Sequence, residues 1–164
     1  MMTSTRTLAT VSNLAPGPWR VINDDVMGGQ SLGRVNAIGD GLRFEGVLSL
    51  ANNGGFSSTR RLLPEAPRGT RGVRLEVRGD GRDYQVRLRQ GDALDGVAWR
   101  APFRTCDEWL VVQLGFTDFE PVFRGRPVPE AGAIDPSQIL QVGFMIADRC
   151  AGPFALEVRR LEFF

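Results

Sequence analysis

Two short segments hold most of the residues that could do chemistry. One is Asn23-Asp24-Asp25-Val26-Met27-Gly28-Gly29-Gln30-Ser31; the other is Asn52-Asn53-Gly54-Gly55-Phe56. Paired glycines permit positive φ and close backbone approach, and Asn and Asp side chains bond the amides of their own turn. The same oxygens have two other conceivable uses. Asp24, Asp25 and Asp80 could ligate a hard cation such as calcium, although no EF-hand spacing is present. Asp24 or Asp25 with Asp80 or Asp148 could divide acid and base roles in a hydrolase. Adjacent acids in one turn seldom converge on one reacting bond, and Ser57, Ser58 and Cys106 have no visible base. No catalytic residue, no metal and no cofactor is therefore expected, and these loops are read as recognition surface or as architecture.

What the chain omits narrows the chemistry further. It has no His, and all 20 of its basic residues are Arg. That excludes Ser-His-Asp and Cys-His catalysis, His-ligated zinc, Schiff-base chemistry and the lysine of a P-loop. The 20 basic residues face 19 acidic ones, a net charge of +1, so no field exists to steer a nucleic acid or an acidic membrane. Cys106 and Cys150 are too few for a disulfide scaffold and lack CxxC spacing; two buried thiols are expected, with a single bridge as the alternative.

The arginines have a pattern of their own. In Val73–Arg78 the apolar Val73, Leu75 and Val77 alternate with Arg74, Glu76 and Arg78. In Tyr84–Arg89, Tyr84, Val86 and Leu88 alternate with Gln85, Arg87 and Arg89, and Val97–Phe103 adds Arg100. If these segments are neighbours, Arg74, Arg78, Arg87, Arg89 and Arg100 share one sheet face with a single acid, Glu76. Such a face could grip carboxylate or phosphate through bidentate contacts, or be an ordinary solvated sheet face.

The elements that position these residues are short. The 20 Gly and 10 Pro break the chain everywhere, and no stretch sustains a 3.6-residue apolar period for three turns. Runs of five to nine residues alternating in steps of two recur instead, the pattern of an antiparallel sandwich or barrel. Strands are predicted at Trp19–Ile22, Gly41–Leu50, Phe56–Leu62, Val73–Arg78, Tyr84–Arg89, Val97–Phe103, Trp109–Leu114, Ile139–Ile146 and Phe154–Phe163. Gly79-Asp80-Gly81-Arg82-Asp83 reads as a hairpin turn. Trp109–Leu114, apolar on both faces, reads as a central strand covered on both sides. Asp135-Pro136-Ser137 predicts one helical turn with Asp135 as its cap. The parity slip between Val158 and Leu161 predicts a bulge at Arg159-Arg160 or a change of covered face there.

Taken together, the motifs resemble the complex I intermediate-associated protein 30 family. They run from Trp19 through Asn23-Asp24-Asp25-Val26-Met27-Gly28-Gly29 to Ser31, then Phe44-x-Gly46, Asn52–Phe56 and Arg60. Gly79-Asp80-Gly81-Arg82 with Tyr84, Arg87 and Arg89 follows, then Phe103, Trp109, Phe116, Asp118-Phe119, Phe123–Arg126 and Gly143 through Asp148. The resemblance implies an all-β fold: an antiparallel jelly roll of the galactose-binding-like type, with at most short helical turns. It also implies a non-catalytic, chaperone-like role in assembling respiratory NADH:ubiquinone oxidoreductase.

The expected organisation is a flexible leader over residues 1–17 and one sandwich domain over 18–164, in a bacterial cytoplasm rather than a mitochondrial matrix. No apolar run approaches the ~20 residues that span a bilayer. The expected contact residues are Asn23, Asp24, Asp25, Met27, Asn52, Asn53 and Phe56 in the loops, together with the motif residue Arg60, and Arg78, Arg87 and Arg89 of the arginine face. The expected partner is a protein client. The alternative is a carbohydrate- or small-ligand-binding module using Trp19, Trp99 or Trp109 as an aromatic platform, though Trp99 and Trp109 sit at core-like positions.

Overall fold

The computed structural model describes residues 19–23, 29–39, 41–51, 54–91 and 96–164. Among the described residues twelve strands follow one another, beginning with β1 (Arg20–Asn23), β2 (Leu32–Ile38), β3 (Gly41–Leu48), β4 (Ser57–Leu62), β5 (Gly72–Gly79) and β6 (Asp83–Gln90). The second half contributes β7 (Ala98–Arg104), β8 (Leu110–Gly115), β9 (Glu120–Phe123), β10 (Arg126–Pro127), β11 (Ile139–Ile146) and β12 (Gly152–Phe163). They form two antiparallel sheets, one of seven strands in the order β1-β4-β11-β6-β7-β9-β10 and one of five in the order β2-β3-β12-β5-β8. Among the described residues no helix is long and apolar enough to cross a membrane.

Alternation decides which side chains fill the space between the sheets. Val73, Leu75 and Val77 of β5, and Tyr84, Val86 and Leu88 of β6, are all fully buried. Leu42, Phe44 and Leu48 of β3 face the same core, as their shared parity predicts. In β12 the core-facing set runs Phe154, Leu156, Val158 and then Leu161 and Phe163. The slip between them is absorbed where the pairing with β5 shifts register between Val158 and Arg160, so a bulge keeps both sets inward. The 3-10 turn Pro136–Gln138 leads directly into β11, with the Asp135 carboxylate accepting from the Ser137 amide.

Four expectations fail, each for a visible reason. The segment 79–83 is not a hairpin. It carries the chain from β5 in one sheet to β6 in the other, so Arg74, Glu76 and Arg78 lie on a different sheet from Arg87, Arg89 and Arg100. β8 is an edge strand rather than a central one, and Val111 on its outer face is 67% exposed. One apolar residue at an outward position was enough to mimic a two-sided pattern. The cysteines are not buried: Cys106 is half-buried, Cys150 is exposed, and both are unbridged. Trp109 is only half-buried, with Arg159 lying over its ring at 4.2 Å, whereas Trp99 is core. Strands β2, β9 and β10 were not anticipated, being at or near sheet edges and mostly exposed or short.

Candidate functional site

The described parts of the two polar loops are joined at their roots. β1 pairs with β4 so that Asn23 stands opposite Ser57. The Ser57 hydroxyl donates to Asn23 Oδ1 at 2.5 Å, beneath the place where Gly33 leaves out a side chain. Ser31 closes the other side: its Oγ donates to the Ser49 carbonyl at 3.1 Å and accepts from the Ser49 amide at 2.8 Å. Asn23 and Ser31 are thus used by the fold, and Phe56 is half-buried. Asp24, Asp25, Met27, Asn52 and Asn53 lie outside the described residues.

The crossover between sheets takes the remaining candidate acids. Arg82 donates Nε and Nη2 to the two oxygens of Asp148 at 2.8 and 2.6 Å, and its other bonds reach the carbonyls of Cys150, Gly152 and Pro153. This ties the β5–β6 crossover to the β11–β12 crossover. The hydrogen bonds from Arg82 hold the Asp148 carboxyl below its ordinary value. Asp80 accepts from the Arg82 amide at 3.1 Å, the Ala155 amide at 2.9 Å and the Tyr84 hydroxyl at 3.2 Å. Both carboxylates are hydrogen-bonded parts of a clasp, not a free pair available to a substrate. Among the described residues no group of three or more His, Cys, Asp and Glu gathers as a metal site.

Tyr84, inside this clasp, is fully buried and the only tyrosine of the chain. Burial, then the charge of Asp80, pushes its pKa well above the ordinary 10.0. A raised folded pKa gives stability that is complete below the unfolded value and is lost as pH rises past it. Above roughly pH 10 Tyr84 contributes a fall of about 1.4 kcal/mol per pH unit, opposed by Arg87, whose lowered folded pKa acts with the opposite sign in the same window. The tyrosine is therefore read as a difference: from pH 8 to 12 the urea midpoint of the native protein should decline relative to that of Tyr84→Phe, in which the Tyr84 contribution is missing.

The arginines form a line across the outer face of the seven-stranded sheet. Register places Arg20 opposite Arg60, Arg60 opposite Gly143, Gly143 opposite Arg87, Arg87 opposite Arg100, and Arg100 opposite Glu120. Arg100 is neutralised by Glu120, with Nε and Nη2 at 3.0 and 2.8 Å from one carboxylate oxygen. Arg89, one row away, donates to the Gly96 carbonyl at 2.9 Å. Arg87 differs: among the described residues its Nη1 bonds neutral partners, Gln85 Oε1 at 3.0 Å and Met145 Sδ at 3.4 Å. Burial first, then Arg89, Arg100 and Arg60, pulls its pKa down to about 10. It still carries its charge at neutral pH, in surroundings that disfavour that charge.

Of the arginines expected on one face, the structure brings together Arg87, Arg89 and Arg100, and adds Arg60, which was not expected there. Arg74 and Arg78 stand on the five-stranded sheet, where Arg74 pairs with Glu162 at 3.2 Å and Arg78 lies opposite Glu157. Sequence reading leaves Arg82 and Gly143 as motif residues without a role: Gly143 forms the floor of the line, Arg60 joins it, and Arg82 makes a five-way clasp that no local spacing announces.

A family model described as complex I intermediate-associated protein 30 matches residues 9–158 of the chain. No curated protein sequence matches it. Among solved structures, the family 11 carbohydrate-binding module of the cellulosomal cellulase Lic26A-Cel5E of Clostridium thermocellum aligns with a TM-score of 0.71 at 13% identity, covering 98% of this chain and 95% of that one. The same module type from that organism, in complex with a β-1,3-1,4-mixed-linked tetrasaccharide, gives 0.63 at 16% identity, with 90% and 88% covered. A family 30 carbohydrate-binding module gives 0.54 at 15% identity, with 83% and 91% covered. At these identities the likeness concerns the fold, a β-sandwich jelly roll.

Proposed function

Since the chain belongs to the complex I intermediate-associated protein 30 family, we propose that it is a non-catalytic recognition module that holds a protein client during assembly of respiratory NADH:ubiquinone oxidoreductase. The arginine line on the seven-stranded sheet is its contact surface. The observation that carries this reading is Arg87, a half-buried guanidinium whose hydrogen-bond partners, Gln85 and Met145, are both neutral. Guanidinium groups held this way favour a partner that brings the opposite charge. Holding a client requires neither nucleophile nor base, which suits a chain without His or Lys.

A glycan-binding role needs an aromatic ring on the same surface, and the tryptophans do not supply one. Trp19 is buried and stacked on Phe144 at 5.8 Å, Trp99 is buried, and Trp109 belongs to the other sheet and is overlaid by Arg159. The client reading is therefore preferred.

The test is a pull-down with tagged protein from native membranes, probing for subunits of NADH:ubiquinone oxidoreductase. The native chain should recover them, and Arg87→Met should recover about tenfold less or below, the scale of a lost charged contact at the centre of an interface. Recovery at background by the native chain would overturn the function. Equal recovery by Arg87→Met would overturn the surface.

A further inference from the structure

We propose that the shallow depression over Gly143, between Arg60 and Arg87, is an oxyanion seat that receives a carboxylate from an acidic stretch of the client. The inference rests on the client-holding reading above and adds the chemistry that the client must present.

Geometry comes first. Gly143 of β11 stands between Arg60 of β4 and Arg87 of β6 in one register row, so each arginine is a single strand spacing, about 4.8 Å, from the glycine. A Cβ at Gly143 would run into the Thr59 carbonyl and the Arg60 Cβ, so close packing with β4 excludes a side chain here. The result is a gap in the outer face, lined by Ser58, Arg60, Arg87, Arg89, Gln141 and Met145. It encloses about 20 Å³, room for a group of one or two oxygens and nothing like a small-molecule pocket. A ligand must therefore lie along the sheet and insert only a small polar tip.

The charge of the seat selects that tip. Ser58 does not compete for it, because its hydroxyl donates to the Ile22 carbonyl at 2.9 Å. Gln141 is likewise held, its amide donating to the Gly91 carbonyl at 3.1 Å. Arg87 uses Nη1 for Gln85 and Met145, and among the described residues its Nε and Nη2 make no hydrogen bond. Among the described residues the charges that act on it are those of Arg89, Arg100 and Arg60, and no carboxylate is among them. An incoming anion would relieve that mutual repulsion, whereas a neutral or cationic group would not. The nearest acid in the row, Glu120, is two strands from Gly143's neighbour in register terms and is already bound by Arg100. A protein client supplies carboxylates from Asp and Glu, and an acidic segment laid across the strands presents several in sequence.

The experiment is fluorescence anisotropy with a fluorescein-labelled hexaglutamate peptide, and hexaglutamine as the neutral probe. Native protein should bind hexaglutamate and not hexaglutamine. Arg87→Met, which keeps the aliphatic stem, should weaken binding about 30-fold, and Arg87→Lys should fall between, because it keeps the charge but not the fork. Arg34→Met is the control: that side chain is 68% exposed on the five-stranded sheet, and its loss should leave binding unchanged. Circular dichroism must show each variant folded. Equal binding of the two peptides, or native-like binding by Arg87→Met, would overturn the seat. Displacement of hexaglutamate by inorganic phosphate at concentrations where acetate has no effect would overturn the carboxylate assignment. If client capture survives while hexaglutamate does not bind, the seat fails and the client-holding function stands. If hexaglutamate binds with this profile while no client is captured, the function fails and the seat stands.

Discussion

Arg82→Met lowers the stability of the protein by about 3 kcal/mol, and the melting temperature falls by about 6–12 °C. The size follows from what is left behind. Asp148, with its side chain 14% exposed, loses the guanidinium that grips both of its oxygens. The carbonyls of Cys150, Gly152 and Pro153 lose a donor at the same time. Removing one partner of such a pair costs more than the pair itself contributes, because a charge remains in a poorly solvated place. Two further measurements separate this from generic damage. Asp148 has a folded pKa below its unfolded one, so its contribution is present above about pH 4 and is lost as pH falls through the folded value. That acid-dependent loss should be visible in the native protein and absent in Arg82→Met. Adding Asp148→Leu to Arg82→Met should recover part of the stability, since the stranded charge goes with it. Equal stability of native protein and Arg82→Met would show that the crossovers are held by something else.

The reach of the sequence can be judged from the same residues. Period-two alternation identified β5, β6 and β7 and which of their side chains meet the core, because parity is a local property of a strand. It also located the irregularity in β12 without choosing between a bulge and a change of covered face; Val158 and Leu161 both face inward, which takes the extra residue of a bulge. Sheet membership was not legible. Gly79-Asp80-Gly81-Arg82-Asp83 has the composition of a hairpin turn, yet its glycines serve a crossing between layers, and nothing within five residues distinguishes the two. The arginine surface was therefore half right: the outward parity of Arg87, Arg89 and Arg100 held, while Arg74 and Arg78 went to the other sheet. The partner that completes the line, Arg60, reaches it only through β11, more than 80 residues later in the chain than β4. Gly143 could be recognised as part of a family motif but not as a floor, because its role depends on strands contributed from both sides.

Gly46→Ala is the second substitution with a large expected cost, about 3 kcal/mol, and it tests the packing that motif positions report. Gly46 of β3 stands opposite Gly33 of β2. A Cβ at position 46 would collide with the Leu32 carbonyl oxygen and would stand 2.8 Å from the Gly33 Cα. Both are backbone atoms, so no rotamer change can make room, and β2 must move away from β3. β2 is an edge strand with a largely exposed side-chain set, so little else restrains it. The loss should therefore concentrate there: amide exchange at Val35 and Ala37 should accelerate more than exchange in β5 or β12. Gly115→Ala is the matched comparison. Gly115 has φ −74°, which alanine adopts without strain, and its nearest side-chain neighbours to a new Cβ are at 3.6 Å. That variant should stay within about 0.5 kcal/mol of the native protein. Urea unfolding of both decides the matter. A tolerated Gly46→Ala would mean that β2 does not approach β3 this closely, and with it would go the reason for glycine at position 46; the glycine opposite, Gly33, makes room for the Ser57 hydroxyl instead.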